Sequence, residues 1–182
     1  MANTKRNLHS LHPELRKAVF LDRDGTLNND EGHYYIYRKE DFVLNPGVIE
    51  GLKRLTEAGY MLFVITNQGG IAKGIYTHED TKRVHEYMCS LFVQHGIKIT
   101  KIYYCPHHES VAACICRKPS PYMINLAIEK FHLNKKRCWM IGDGTRDIKA
   151  AEAAGIKSIK VHKNQDLTPA IDQILANDKP KM

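Results

Sequence analysis

The stretch AVFLDRDGTLNND, residues 18–30, runs four apolar residues straight into Asp22 and Asp24, two like charges one residue apart. A short apolar run of this kind reads as a buried strand. A buried strand that ends in two carboxylates needs a reason for its end. Carboxylates held close together require a counter-charge, or one of them stays protonated.

Working outward, apolar runs recur at MLFVI (61–65), KIYY (101–104), CWMI (138–141) and KSIKV (157–161), all read as strands. Between them lie helical patterns. Val48, Leu52 and Leu55 fall on one face of a helix that Gly59 ends. Thr77 and Asp80 form a capping box ahead of a face made by Val84, Met88, Leu91 and Phe92, with Gly96 closing that helix. Ser120-Pro121 opens a further helix. A last one runs from about Asp147 to Ala154 and stops at Gly155. Strand–helix alternation of this kind implies a Rossmann-like, three-layer α/β/α fold around a central parallel sheet. One domain is expected over 18–176, with a loose segment at 1–17 and a tail at 177–182. The stretches 28–46 and 105–119 read as irregular.

In open parallel sheets, ligands bind at the carboxyl ends of the strands. Here those ends carry Asp22 and Asp24, then Thr66, Asn67 and Gln68, then Asp143 with Asp147 four residues on. Arg117 and Lys118 follow the third strand. A divalent cation would reconcile the carboxylates. Mg²⁺ suits them, because it prefers oxygen ligands and is held by one or two carboxylates plus substrate phosphate. Lys118 would offset the remaining charge and bind a transferring phosphoryl group, and an aspartate in such a site can attack phosphorus. A lone D-x-D after a strand is often only a turn; the four segments in this order are a far more specific signal.

The chain has five cysteines, an odd number, and its N-terminal segment MANTKRNLHSLHPELRK lacks an apolar stretch of the secretory type. A cytoplasmic protein without disulfides is therefore expected. Three of the cysteines cluster in CPHHESVAACIC, where Cys105, His107, Cys114 and Cys116 make a C-x-H…C-x-C set. Four such ligands with no open position suit a structural zinc. His108 could replace His107, and free thiols on a flexible loop are the plain alternative. Cys89 and Cys138 sit in apolar contexts and read as core.

A net charge of +7 and a pI near 9.1 suit an acidic partner, nucleic acid or a small phosphate ester. No basic, aromatic-interleaved strip speaks for a strand of nucleic acid. No apolar run approaches the ~20 residues of a membrane span.

FLDRDGTL, VITNQ, RKP and IGDGTRD resemble the four motifs of the haloacid dehalogenase superfamily of phosphohydrolases, over roughly residues 18–161. The resemblance implies Asp22 as the nucleophile and Asp24 as general acid and base. It implies Thr66 and Lys118 on the phosphoryl oxygens, and Mg²⁺ on Asp22, Asp24 (through its carbonyl) and Asp143. Asp147 would orient either Lys118 or a metal-bound water. The C-x-H…C-x-C-R-K-P pattern resembles two sister branches, neither with a large cap domain. One removes the 7-phosphate of D-glycero-D-manno-heptose 1,7-bisphosphate in lipopolysaccharide precursor synthesis; the other acts on histidinol phosphate. Asp30-Glu31-Gly32-His33 and TNQGGIAKG look like the heptose branch. That resemblance would place Asp30, Glu31, Gly32, His33, Thr66, Asn67, Gln68, Gly69, Arg117 and Lys118 against the substrate. The loop from His107 to Cys114 is closer in length to the histidinol branch. Gly144 stands where these branches commonly carry Lys or Arg, and HYYIYRK adds residues whose Tyr34, Tyr35 and Tyr37 would either reshape the crevice or pack as a surface loop. A more distant relation is to DNA 3′-phosphatases, which share the LDxDGTL strand without the zinc clip. A silent zinc-binding module would imply a damaged site, and no chemical position is damaged. The expected partner is a small phosphorylated substrate, not nucleic acid or membrane, with a monomer as the expected state.

Overall fold

The computed structural model describes residues 16–178, so the sequence expectations for 1–15 and 179–182 lie outside the described residues. A five-stranded parallel sheet carries the order β5-β4-β1-β6-β7, with β1 (Ala18–Leu21) at its centre. Its partners are β4 (Met61–Asn67) on one side and β6 (Cys138–Gly142) on the other. The edges are β5 (Ile99–Cys105) and β7 (Lys157–Lys160).

The central position explains why β1 is apolar at every residue. Strand side chains alternate between faces, and both faces of this strand are covered. Val19 and Leu21 join one cluster, with α1 (Val48–Glu57), α2 (His78–Val93) and α5 (Thr168–Asn177). Ala18 and Phe20 join the opposite cluster, with α3 (Tyr122–Phe131) and α4 (Thr145–Ala154). Phe20 stacks on Phe63 of β4 at 5.2 Å between ring centres. Full burial of each such side chain contributes roughly 1.5–3 kcal/mol, which locks the strand whose end carries Asp22.

The expected capping box forms. The Asp80 amide donates to Thr77 Oγ1 at 3.1 Å, and the Thr77 amide donates back to Asp80 Oδ2 at 2.8 Å. Two helices differ at their starts. α3 begins at Tyr122 with Pro121 as its cap, and α4 begins at Thr145, two residues before the expected Asp147. α5 was not anticipated, although Leu167, Ala170, Ile171 and Ile174 have helical spacing and are all buried. The irregular stretch 28–46 contains a minimal antiparallel pair, β2 (Asn28–Asn29) with β3 (Val43–Leu44). Lys17 is buried and ion-paired with Asp178, which also pairs with Arg137 at 3.0 Å. Among the described residues no helix is long and apolar enough to cross a membrane.

Candidate active site

The carboxyl ends of β1, β4 and β6 converge with the loop that follows β5. Lys118 lies at the meeting point with its side chain fully buried. Its Nζ is 2.9 Å from Asp22 Oδ1 and 2.6 Å from Asp147 Oδ1, and it donates to the Ile65 carbonyl at 2.7 Å. Asn67, at the end of β4, delivers this lysine. Its Oδ1 accepts from the Lys118 amide at 3.0 Å and its Nδ2 donates to the Lys118 carbonyl at 3.1 Å. Asn67 thus acts on the backbone of Lys118 while also lining the crevice.

Burial, and then the charge of Asp147, push Asp22 up from 3.8 to about 7, with Lys118 and Arg146 pulling the other way. Burial opposes the charge on Lys118, but Asp22 and Asp147 outweigh it and raise its pKa. Asp143 is raised by burial and by Asp147. Asp22, Asp143 and Asp147 present ligand oxygens within 4.8 Å of one another. Asp147 is already committed, since Oδ1 faces Lys118 and Oδ2 accepts from the Gly144 amide at 2.9 Å. Both of its oxygens are therefore engaged within the protein. Asp22 and Asp143 remain as the carboxylates that fit a hard cation, and a cation there would offset the burial that disfavours the charge on Asp22.

Gly25 makes this convergence possible. It has φ +80°, and a Cβ there would stand 2.9 Å from Asp143 Oδ2. Thr66 is buried, and its Oγ1 accepts from Gln68 Nε2 at 2.9 Å. Gln68 also donates to Asp24 Oδ2 at 3.0 Å and accepts from Tyr76 at 2.7 Å, so it lies beneath the site rather than on its surface.

Above these residues opens a crevice of about 240 Å³. Asp24, Asp30, His33, Asn67, Gly69, Arg117 and Asp143 line it, whereas Glu31 and Gly32 do not. Arg117 is tied to the cysteine loop, donating to the His107 carbonyl at 3.0 Å and pairing with Glu109 at 2.6 Å. Tyr34, Tyr35, His108, Arg146 and Lys163 are lining residues outside the expected contact set. Of the tyrosines in this segment, Tyr34 and Tyr35 line the crevice and Tyr37 does not; Tyr35 packs edge-on to Tyr76, and Tyr37 stacks on that ring. Gly144 does not leave its neighbourhood without a cation, because Arg146 lies across it, 3.3 Å from where a Cβ would stand. Burial opposes the Arg146 charge, and the surrounding aspartates raise its pKa despite that.

Cys105, His107, Cys114 and Cys116 come together beside this crevice. Cys105 Sγ is 3.1 Å from Cys116 Sγ and 3.6 Å from Cys114 Sγ, and His107 Nδ1 is 3.3 Å from Cys116 Sγ. Tetrahedral zinc with bonds of about 2.0–2.3 Å requires edges of roughly 3.5–3.8 Å, so the cluster fits the ion with small adjustments. His108 is excluded from the cluster, since its Nδ1 is engaged by Ser110 at 2.8 Å and its ring lines the crevice. Cys89 and Cys138 stand apart, Cys138 fully buried.

The family model described as HAD-hydrolase-like matches residues 115–181. The chain is 42% identical over 149 residues to the D-glycero-beta-D-manno-heptose-1,7-bisphosphate 7-phosphatase of Haemophilus ducreyi, covering 79% of this chain and 81% of that one. This chain belongs to the haloacid dehalogenase superfamily. Like its relatives there, it is a phosphoric monoester hydrolase. The enzyme of the same name from Escherichia coli K12 is 36% identical over 159 residues, covering 84% of this chain and 82% of that one. Among solved structures, the D,D-heptose 1,7-bisphosphate phosphatase of B. bronchiseptica, complexed with magnesium and phosphate, superposes with a TM-score of 0.79. It is 26% identical and covers 88% of this chain and 99% of that one.

Proposed function

We propose that this chain removes the 7-phosphate of D-glycero-D-manno-heptose 1,7-bisphosphate through an aspartyl-phosphate. The observation that carries the reading is the buried Asp22–Lys118–Asp147 cluster next to a crevice lined by Asp24, Asp143, Arg117 and Arg146. Such a crevice suits a substrate with one phosphate to transfer and a second to be held. The relatives named for this reaction support it.

Asp22 attacks phosphorus as the bond to the sugar oxygen breaks, and the Asp24 carboxylic acid gives its proton to that oxygen. Asp24, now a carboxylate, takes a proton from the water that attacks the phosphoenzyme. The aspartyl P–O bond breaks, phosphate leaves, and Asp22 returns as a carboxylate. Lys118 and Thr66 bind the phosphoryl oxygens. Arg117, with a planar fork suited to phosphate, holds the second phosphate. Mg²⁺, on Asp22, Asp143 and the Asp24 carbonyl, would neutralise charge on the transferring group. Zinc on Cys105, His107, Cys114 and Cys116 would stiffen the loop that carries Arg117 and Lys118, a positional contribution.

The test is kcat/KM for phosphate release with Mg²⁺ on the heptose bisphosphate, histidinol phosphate and a 3′-phosphorylated DNA oligomer. A preference for the heptose of about a hundredfold or more is expected. Preference for histidinol phosphate would overturn the substrate while leaving the Asp22 chemistry in place. For the zinc loop, Cys114→Ser should reduce bound zinc and lower Tm by on the order of 5–10 °C. Unchanged metal content by elemental analysis would rule out the clip.

A further inference from the structure

Arg23, between the two motif aspartates, is fully buried. Removing a guanidinium from water carries a penalty of several kcal/mol unless its donors are met. Its fork closes on its own neighbour: Nε donates to Asp24 Oδ1 at 3.0 Å and Nη2 to Asp24 Oδ2 at 2.9 Å. Both oxygens of Asp24 are thereby fixed, and with them the plane of the carboxylate, while Asp24 still lines the crevice. The guanidinium is in turn held from behind. Nη2 also reaches the Ile36 carbonyl at 2.6 Å and Gln68 Oε1 at 3.2 Å, and Nη1 meets His85 Nε2, on α2, at 3.2 Å.

We propose that Arg23 is the positioning residue of Asp24, and that His85 is the acceptor that keeps Arg23 aimed. A guanidinium only donates, so the facing ring nitrogen of His85 must accept. Burial first and Arg23 second push His85 down to about 3, which keeps it neutral and able to accept. A lysine could not replace Arg23, because a single ammonium cannot clamp two carboxylate oxygens in one plane. An inert strut between α2 and β1 would use the same atoms, but its loss would impair all substrates alike. A device that aims a proton donor matters in proportion to how much the leaving group needs the proton.

The inference rests on the acid role proposed for Asp24, and the experiment separates the two. kcat/KM covers only the steps through departure of the leaving group. It is measured with Mg²⁺ on p-nitrophenyl phosphate, whose leaving group departs without a proton, and on a simple alkyl phosphate, whose leaving group requires one. Arg23→Lys should lose roughly a hundredfold on the alkyl ester, the scale of general acid catalysis, and less than about threefold on the aryl ester. His85→Leu should lose about tenfold on the alkyl ester with the aryl value nearly unchanged, and His85→Gln, which returns an acceptor, should recover it. Should Arg23→Lys not fold by circular dichroism, the two His85 variants carry the test. Equal losses on both esters, or no loss on either, would overturn the proposal. Asp24→Asn is the control. If it is selective for the alkyl ester while the Arg23 and His85 variants are not, this inference alone falls. If Asp24→Asn is itself unselective, the acid role falls and this inference with it.

Discussion

Asp22→Asn is expected to lower phosphatase turnover by roughly 10⁴-fold or more, the scale of removing a covalent nucleophile, and at the same time to make the metal-free protein more stable at pH 8. The two effects come from the same burial. Asp22 is pushed up from 3.8 to about 7, so the folded protein binds its proton more tightly than the unfolded chain does. By linkage, the contribution of this group is fully present below the unfolded value and is lost as pH rises through about 7. At pH 8 the wild-type fold therefore carries an anion that it disfavours, and an amide of the same shape does not. The Tm of Asp22→Asn should be flatter than wild type between pH 4 and 7 and higher at pH 8. Mg²⁺ should raise the Tm of wild type more at pH 8 than at pH 5, and should lose most of that effect in the variant. Thermal melts with chelator and with Mg²⁺ at both pH values decide the matter. Retained turnover would sink the nucleophile, and a lower metal-free Tm at pH 8 would sink the account of strain.

Much of this site was legible because its residues end strands. AVFL, MLFVI and CWMI are apolar where a sheet is covered on both faces, and the first polar residues after them must lie at its carboxyl edge. Asp22, Thr66 and Asp143 follow from that alone. Lys118 was legible from the order of the motifs, although its route was not. Nothing local in TNQ reveals that Asn67 spends both side-chain atoms on the Lys118 backbone, fifty-one positions away. Arg23 was overlooked for a related reason. A charged residue within DxD reads as solvent-facing, and only the packing of α2 and the 30–38 segment behind β1 turns it inward. Tyr34, His108 and Lys163 come from separate loops and Arg146 from the first turn of α4, and their shared crevice exists only once these elements are folded together. The α5 helix is a different case, since its apolar spacing was present in the sequence.

The largest loss of stability is expected from Lys118→Met, which keeps the volume of the side chain and removes its charge. Asp22 and Asp147 would then face each other, buried, without the ammonium that now lies 2.9 Å from one and 2.6 Å from the other. Breaking a buried ion pair by removing one partner costs about 3–5 kcal/mol, which for a chain of this size corresponds to roughly 10 °C in Tm. Activity should fall by at least about 10³-fold, since the same nitrogen is the proposed phosphoryl ligand. The sign with pH follows from the groups that remain. The Asp22 and Asp147 charges raise the Lys118 pKa despite burial, so its stabilising charge is fully present below 10.5 and is lost only as pH rises through a still higher folded value. Across the neutral range the lysine itself therefore stays charged, and the pH dependence of the wild-type cluster there comes from Asp22. In the variant the two carboxylates repel unopposed, and taking up a proton relieves them, so the deficit should shrink from pH 8 to pH 5. Adding Asp147→Asn to Lys118→Met should recover part of the lost stability, because it removes one of the stranded anions, whereas Asp147→Asn alone should destabilise by leaving the lysine with one partner fewer. A double-mutant cycle by chemical denaturation measures this directly. Additive losses would mean that Lys118 contributes packing rather than charge, and the electrostatic account of the cluster would have to be abandoned.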